Sequence, residues 1–251
     1  MNLDVIYRED CVKGMKKLPD ESIDLVFTDP PYNENYKYRN SHFTDYRSDY
    51  YEFIDQVLKE CKRILKPTGS IYLKHSPRQI GKIIPILNKY FIFRNLIIWT
   101  SQSQSHPKNN YDSSYEPLYF YSKTDNYIFH KRAQMRSKPH KYWSGKKIVF
   151  VGLMNNIWNI KKENVGCIRG KHRENKFKDF PCSMPVGLPY RAIIFSSNEG
   201  DIILDPFMGS GTTAIACIKS KRHYIGYEID ESYYNLARNK IDKEKNAQVL
   251  I

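Results

Sequence analysis

The chain has 251 residues, 41% of them hydrophobic, and a formal net charge of +13. This length suffices for one large α/β domain, or for a domain with a small insert. The five cysteines form no Cys-x-x-Cys pair, which argues against a zinc site or a disulfide framework, so no metal is expected. No signal peptide and no apolar run of the ~20 residues that span a bilayer is present, which predicts a cytoplasmic protein without a membrane partner.

Short apolar runs alternate with helical patterns along the chain. Strands are predicted at 3–7, 23–27, 70–73, 91–99, 115–121, 201–205 and 223–228. Helices are predicted at 50–65, 80–88, 188–196, 212–220 and 231–245. This alternation predicts an α/β fold in which a mostly parallel, doubly wound sheet carries helices on both faces.

A basic stretch interrupts the pattern between about Ser122 and Pro181. Within it, residues 131–180 hold fourteen Lys and Arg against three acids, a local excess of +11. An excess of this size is typical of a surface that binds a polyanion. A solvated basic surface is the alternative, whereas an anionic membrane is disfavoured because the basic residues form no amphipathic helix.

A glycine-rich turn follows the predicted strand 201–205. The sequence there is Asp205-Pro206-Phe207-Met208-Gly209-Ser210-Gly211-Thr212, and the next strand ends at Glu228. Glycines allow a ligand to approach the backbone, a helix N-terminus offers free N–H donors, and a carboxylate can accept from both hydroxyls of a ribose. This context predicts a nucleoside-cofactor site, although neither a P-loop lysine nor a full GxGxxG is present.

A second motif, Asp29-Pro30-Pro31-Tyr32, ends the predicted strand 23–27. Ligands of open α/β sheets bind at that end of the strands. The Asp29 carboxylate and the Pro30 carbonyl are two acceptors that suit the amino group of a base, the second proline stiffens the backbone, and Tyr32 offers a flat face for stacking. A Pro-Pro turn with a capping aspartate is the alternative explanation.

A third, weaker signal follows the first strand, where Asp10 and Cys11 stand at its end. Asp10 can accept a hydrogen bond from the adenine amino group of a nucleoside cofactor. An N-cap for the next helix explains the same residue equally well.

These motifs resemble those of the amino-group DNA methyltransferases of the permuted beta order. In that family a D/S/N-P-P-Y/F motif comes first, a target-recognition region follows, and the F-x-G-x-G donor motif comes last, as TDPPYN (28–33) and DPFMGSGTT (205–213) do here. The resemblance implies a Rossmann-like methyltransferase fold with a catalytic half (1–121), a basic target-recognition insert (122–180) and a donor-binding half (181–251). It further implies S-adenosyl-L-methionine as cofactor and double-stranded DNA as partner, hence a nucleoid-associated location.

The family assigns roles to individual positions. The resemblance implies that Asp29, Pro30, Pro31 and Tyr32 hold the target amine. The implied donor pocket comprises Asp10, Cys11, Asp29, Asp205, Pro206, Phe207, Gly209, Ser210, Gly211, Thr212 and Glu228. One departure stands before the donor motif, where the family often has His-Pro-Thr-Gln-Lys-Pro and this chain has Phe-Pro-Cys-Ser-Met-Pro, so that Met184 replaces the lysine.

The predicted nucleic-acid contacts lie mostly in the insert. Asn110-Tyr111 and Glu116 resemble a family segment that places an aromatic beside the flipped base, which selects Tyr111. The basic residues selected are Lys131, Arg132, Arg136, Lys138, Lys141, Lys146, Lys147, Arg169, Lys171 and Arg173.

Several functions fit these motifs. Aspartate in the first motif position leans toward adenine-N6 in the family, while cytosine-N4 methylation uses the same chemistry. Amino methylation of RNA or of a protein side chain is a third candidate, and a non-catalytic DNA-binding pseudo-methyltransferase is a fourth. The sequence leaves open the recognised site, a homodimer and a companion restriction endonuclease.

Overall fold

The computed structural model describes residues 1–35, 44–100, 114–130, 155–160 and 184–249. The helices are α1 (Cys11–Met15), α2 (Tyr50–Ile64), α3 (Ile80–Tyr90), α4 (Gly187–Ser196), α5 (Thr212–Ser220) and α6 (Glu231–Val249). The strands are β1 (Val5–Tyr7), β2 (Ile23–Thr28), β3 (Leu65–Lys74), β4 (Ile92–Thr100), β5 (Tyr115–Ser122), β6 (Ile157–Trp158), β7 (Ile202–Asp205) and β8 (His223–Tyr227). Among these residues no helix combines the length and apolar character of a membrane span.

The strands form one sheet in the order β1-β8-β7-β2-β3-β5-β4-β6. Neighbouring strands are parallel except where β5 runs antiparallel to β3 and β4. The mostly parallel α/β sheet predicted from the sequence is therefore confirmed. β1 pairs with β8, which brings the first strand beside the one that leads to Glu228.

Helices cover both faces of the sheet, each over its own apolar cluster. On one face α1, α2 and α3 pack against the sheet; α2 contributes an apolar stripe that includes Phe53, Val57 and Leu58. On the other face α4, α5 and α6 pack through residues such as Leu188, Ala214 and Ala237. Because the central parallel strands are covered on both faces, they are apolar nearly throughout, as the burial of β2 shows.

Three features differ from the expectation. β6 is absent from the predicted elements and α1 was predicted only as the alternative explanation of Asp10, because two and five residues are too short to show a period. β3 begins at Leu65 rather than at residue 70, so the Lys-Pro-Thr-Gly segment extends the strand, with a register shift against β2 between Ile23 and Leu25. Within the predicted insert, residues 123–130 and 155–160 pack on the core, as the stacking of Phe129 on Phe195 and the pairing of Trp158 with Trp99 show.

Candidate active site

The crevice of the sheet opens between β2 and β7. The chain leaves β2 through α2 for β3 on one side, whereas it leaves β7 through α5 for β8 on the other. Such a reversal separates the loops at the carboxyl ends of two neighbouring parallel strands and forms a binding crevice there. Asp29 directly follows β2 and Asp205 ends β7, so the two predicted motifs flank this crevice from adjacent strands.

Asp29 lies in a compact polar cluster. Tyr32 donates its hydroxyl to Asp29 Oδ1 at 2.7 Å, and Lys74 Nζ lies 3.2 and 3.1 Å from Oδ1 and Oδ2. Lys74 Nζ also lies 2.5 Å from Glu116 Oε2 and contacts the Tyr32 hydroxyl. The Asp29 side chain is 27% exposed, so an incoming group can reach it.

Burial raises the pKa of Asp29 above its ordinary value, and the Glu116 charge raises it further. Lys74 and the Tyr32 hydroxyl oppose this increase. The pKa of Lys74 is itself raised, because its two carboxylate partners outweigh the cost of its burial. The cluster therefore holds an ammonium between two acids at the mouth of the crevice.

A buried tyrosine and histidine support the backbone of the second motif. Tyr50 donates its hydroxyl to the Pro31 carbonyl at 2.5 Å and lies 2.6 Å from His75 Nε2. His75 Nδ1 accepts from the Ser76 amide at 2.9 Å, which assigns the proton of the neutral ring to Nε2. Burial lowers the pKa of His75 to about 3, so the ring is neutral at physiological pH. His75 Nε2 therefore donates to the Tyr50 hydroxyl, which in turn donates to the Pro31 carbonyl.

The loop after the motif is held at further points. Asn33 Oδ1 accepts from the Arg47 amide at 2.7 Å, and the Glu34 amide donates to the Asp45 carboxylate at 3.0 Å. Asn33 has φ +57°, a conformation that asparagine tolerates better than most residues. The Tyr32 ring packs against His75 with ring centroids 4.9 Å apart.

The glycine-rich turn is shaped by two carboxylates. Asp205 accepts from the Phe207 amide at 3.0 Å and from the Thr213 hydroxyl at 2.5 Å. Glu228 accepts from the Gly209 amide at 2.8 Å. Gly209 and Gly211 have φ of +52° and +85°, in the left-handed region that glycine occupies without strain. The turn thus needs both glycines for its backbone and both acids for its shape.

The two acids of the glycine-rich turn lie in surroundings of low polarity. Burial raises the pKa of Asp205 to about 7 and that of Glu228 to about 7. Pro206 and Thr212 are buried with the turn, whereas Ser210 is half-buried. Phe207 packs edge-on against Phe53 of α2, with ring centroids 5.9 Å apart.

The third motif is arranged as a helix cap. Asp10 is the N-cap residue of α1, and its Oδ1 accepts a hydrogen bond from the Lys13 amide at 2.9 Å. The capping explanation of Asp10 therefore describes its contact in the structure. Cys11 packs into the core, and burial raises the pKa of its thiol, so contact with a ligand would involve its backbone.

Three residues of the site were not predicted to act there, namely Lys74, Tyr50 and His75, and Glu116 was named only as part of the segment that selects Tyr111. Lys74 ends a buried strand and His75 follows it, and a lysine directly after apolar strand residues is the signal that could have selected it. Tyr111 and the ten basic residues selected as DNA contacts lie outside the described residues.

The chain is similar to known DNA methyltransferases over most of its length. A family model described as DNA methylase (N6_N4_Mtase) matches residues 23–239. DNA adenine methyltransferase YhdJ of Escherichia coli (strain K12) is 30% identical over 254 residues, which cover 94% of this chain and 82% of YhdJ. Type II methyltransferase M.HpaI of Haemophilus parainfluenzae is 33% identical over 239 residues, which cover 94% of this chain and 73% of M.HpaI.

Solved structures share the fold. PvuII DNA methyltransferase (cytosine-N4-specific) matches with a TM-score of 0.70 at 18% identity, covering 96% of this chain and 90% of PvuII. The M1.HpyAVI–SAM complex matches with a TM-score of 0.61 at 22% identity, covering 94% of this chain and 98% of that one. The fold predicted from the resemblance is confirmed, and the chain belongs to the N6/N4 DNA methylase family.

Proposed function

We propose that the protein transfers a methyl group from S-adenosyl-L-methionine to the exocyclic N6 amine of adenine in a specific sequence of double-stranded DNA. The observation that carries this proposal is the position of Asp29, a partly exposed carboxylate at the crevice, on the strand next to the one that leads into the glycine turn. Family membership supplies the reaction class, DNA methylation.

The donor set of the turn fits S-adenosyl-L-methionine, whose polar groups are a carboxylate, an ammonium, a ribose diol and an adenine. The N-cap of α5 is Gly211, which has no side chain to cap the helix, so the first backbone N–H groups of α5 suit an anionic carboxylate. Among the described residues, a Cβ built on Gly209 meets only the Phe207 carbonyl within 4 Å, at 3.9 Å, so the backbone is open to a ligand there. Glu228 would accept the ribose hydroxyls, and Asp205 shapes the turn.

The bound donor supplies an electrophilic methyl group on a sulfonium. The chain's residues then act on the flipped base, which must leave the stack to reach them. The Asp29 carboxylate and the Pro30 carbonyl accept the two amine N–H groups, which draws the nitrogen toward tetrahedral geometry and frees its lone pair. Tyr32 stacks on the base. No general base is needed beforehand, because the methylated cationic nitrogen loses its proton readily; Asp29 stabilises the developing positive charge.

Adenine is favoured over cytosine for two reasons. Aspartate stands in the first motif position, and the relative YhdJ is named a DNA adenine methyltransferase. Cytosine-N4 methylation is the second candidate, because the PvuII enzyme that shares this fold is cytosine-N4-specific. We also propose the permuted beta order, with the segment 122–180 as target-recognition insert.

The direct test is to incubate the protein with labelled S-adenosyl-L-methionine and duplex DNA and to identify the modified nucleoside and its sequence context. N6-methyladenine is expected; N4-methylcytosine would replace the base assignment, and labelled RNA or protein alone would refute DNA methylation. In the same assay Asp29→Ala should bind donor and DNA and lose turnover about 100-fold or more. Near-normal methylation by Asp29→Ala would refute its role.

A further inference from the structure

Lys74 is a buried cation that the mechanism above does not use. It ends β3, its side chain is 6% exposed, and its ammonium lies 3.1 Å from Asp29 Oδ2 and 2.5 Å from Glu116 Oε2. An ammonium taken out of water is costly unless it is paired and hydrogen-bonded. Lys74 meets that requirement because it lies between two carboxylates. Its two ion pairs connect β3 with β5 and with the end of β2 at the crevice.

The sheet register brings this ion triad together. β5 runs antiparallel to β3 with Leu118 opposite Lys74, so Glu116, near the start of β5, lies at the same sheet edge as the carboxyl end of β3. Two carboxylates at one site share a proton readily, because each negative charge disfavours the other. The ammonium between them opposes that tendency.

We propose that Lys74 is a positioning residue for methyl transfer, which bridges Asp29 and Glu116 so that Asp29 stays charged and aimed at the target amine. This inference rests on the proposed function. A charged carboxylate only accepts hydrogen bonds and offers about four lone-pair sites. Tyr32 and Lys74 occupy Oδ1 and Lys74 occupies Oδ2, which leaves capacity for one amine N–H. A protonated Asp29 would instead present a donor to an amine that is itself a donor.

The other groups around the triad cannot replace the lysine charge. His75 is neutral at physiological pH because burial and the Lys74 charge lower its pKa to about 3. Tyr32 contacts Lys74 through its hydroxyl, and the Trp99 ring centroid of β4 lies 5.6 Å from Lys74 Nζ. Asp205 of β7 is a further acid near Asp29, because the Asp29 charge contributes to its raised pKa. Without Lys74, the described groups facing Asp29 are therefore neutral or acidic.

The test compares Lys74→Met, the double variant Lys74→Met/Glu116→Gln, and the control Lys66→Met. Lys66 lies on the same strand and pairs with Asp24 at 2.6 Å, away from the crevice. The readouts are kcat and KM from pH 5.5 to 9, donor binding by calorimetry, and the carboxyl pKa values of Asp29 and Glu116 from ¹³C NMR titration.

Lys74→Met should move the acid limb of the kcat profile upward by about one to three pH units, with donor affinity and folding retained. Each unit corresponds to about a tenfold loss of turnover below the new limb. The double variant should move the limb back, because removing Glu116's charge removes the neighbour that favours protonation of Asp29. Lys66→Met should follow the wild-type profile.

Two results would overturn the inference. The first is an unchanged acid limb of the kcat profile in Lys74→Met. The second is a loss of kcat in Lys74→Met that is equal at every pH and that the added Glu116→Gln does not alter, because such a loss indicates a structural role alone. If the wild-type protein methylates no DNA, the proposed function fails. The NMR titration then decides the inference separately, since an unchanged pKa of Asp29 in Lys74→Met refutes the triad.

Discussion

At the scale of single residues, the proposed catalytic motif depends on the buried groups that support its backbone. Tyr50 and His75 are nearly fully buried and connect the Pro31 carbonyl to the Ser76 amide through three hydrogen bonds. The Pro30 carbonyl, which is proposed to accept from the target amine, directly precedes Pro31. This hydrogen-bond relay, from the Ser76 amide through His75 and Tyr50 to the Pro31 carbonyl, therefore holds the Pro30 carbonyl in position.

Tyr50→Phe should lower kcat about tenfold or more and leave the donor dissociation constant within about twofold, because sub-ångström shifts of reacting groups are costly. Tyr50→Phe should also cost about 1–3 kcal/mol of stability, since the buried His75 ring loses its partner and the partly buried Pro31 carbonyl loses its donor. His75→Gln, which can still donate to Tyr50, should retain more activity than His75→Leu.

The matched control is Tyr121→Phe, which removes a buried hydroxyl that bonds Asn88 at 3.1 Å far from the motif. Equal kcat values in Tyr50→Phe and Tyr121→Phe would exclude the relay.

Asp205, which shapes the glycine-rich turn, makes the stability of the fold depend on pH. Burial raises the pKa of Asp205 to about 7, whereas an unfolded aspartate titrates near pH ~3.9. Between these values the folded chain holds a proton that the unfolded chain has released. The resulting stabilisation is full below about pH 4 and is lost as the pH rises through about 7.

Asp205→Asn keeps an acceptor for the Phe207 amide and removes this titration. The wild-type free energy of unfolding should fall from pH 5 to pH 8 by about 1–3 kcal/mol more than that of Asp205→Asn. Urea unfolding at both pH values measures the difference, with Asp125→Asn as control because that side chain is 84% exposed. The same fall in wild type and Asp205→Asn would contradict the assignment.

At the scale of elements, the sequence pattern predicted those helices and strands whose position depends on residues within the segment itself. The α2 stripe, the β2 and β7 apolar runs and the start of α5 at Thr212 were predictable because period, glycines and burial agree within each segment. The meeting of Lys74 with Glu116 was not, since it depends on β5 pairing antiparallel with β3. That register involves residues over forty positions apart, and no local pattern encodes it.

The start of α5 shows how an element fixes a site. Gly211 has φ +85°, and a Cβ added there would lie 3.1 Å from Ala237 Cβ of α6. Gly211→Ala should therefore cost about 1–2 kcal/mol from its left-handed backbone alone, with a further loss from the contact. Because the same turn carries the proposed donor site, donor affinity should fall with stability.

The control is Gly81→Ala on α3, where an added Cβ meets no atom of the described part of the chain within 4 Å. That change should raise stability by about 0.5–1 kcal/mol, since alanine is the better helix former. Urea unfolding and donor calorimetry on both variants measure the contrast. A Gly211→Ala protein as stable as wild type with unchanged donor affinity would show that the turn needs no glycine there.

At the scale of the whole molecule, charge and chemistry are separated along the chain. The crevice is built from acids and from the buried Lys74, whereas most of the net charge of +13 lies in residues 131–180. A division of this kind suits an enzyme whose core performs the reaction while a basic segment holds the phosphate backbone, since phosphate contacts position the duplex and base contacts select the sequence.

This division predicts a specific salt dependence. Replacing Lys141, Lys146 and Lys147 by serine should weaken DNA binding and reduce the slope of log affinity against log salt by about 0.9 for each phosphate that the protein no longer neutralises, while donor affinity stays unchanged.

The control replaces three lysines that are exposed on α1, just after it and on α2, namely Lys13, Lys16 and Lys59, and so removes the same charge. Fluorescence anisotropy with a labelled duplex over a series of salt concentrations measures both slopes. If the two triple variants show the same reduction in slope, net charge alone attracts the DNA; a reduction confined to the first variant assigns the phosphate contacts to the insert.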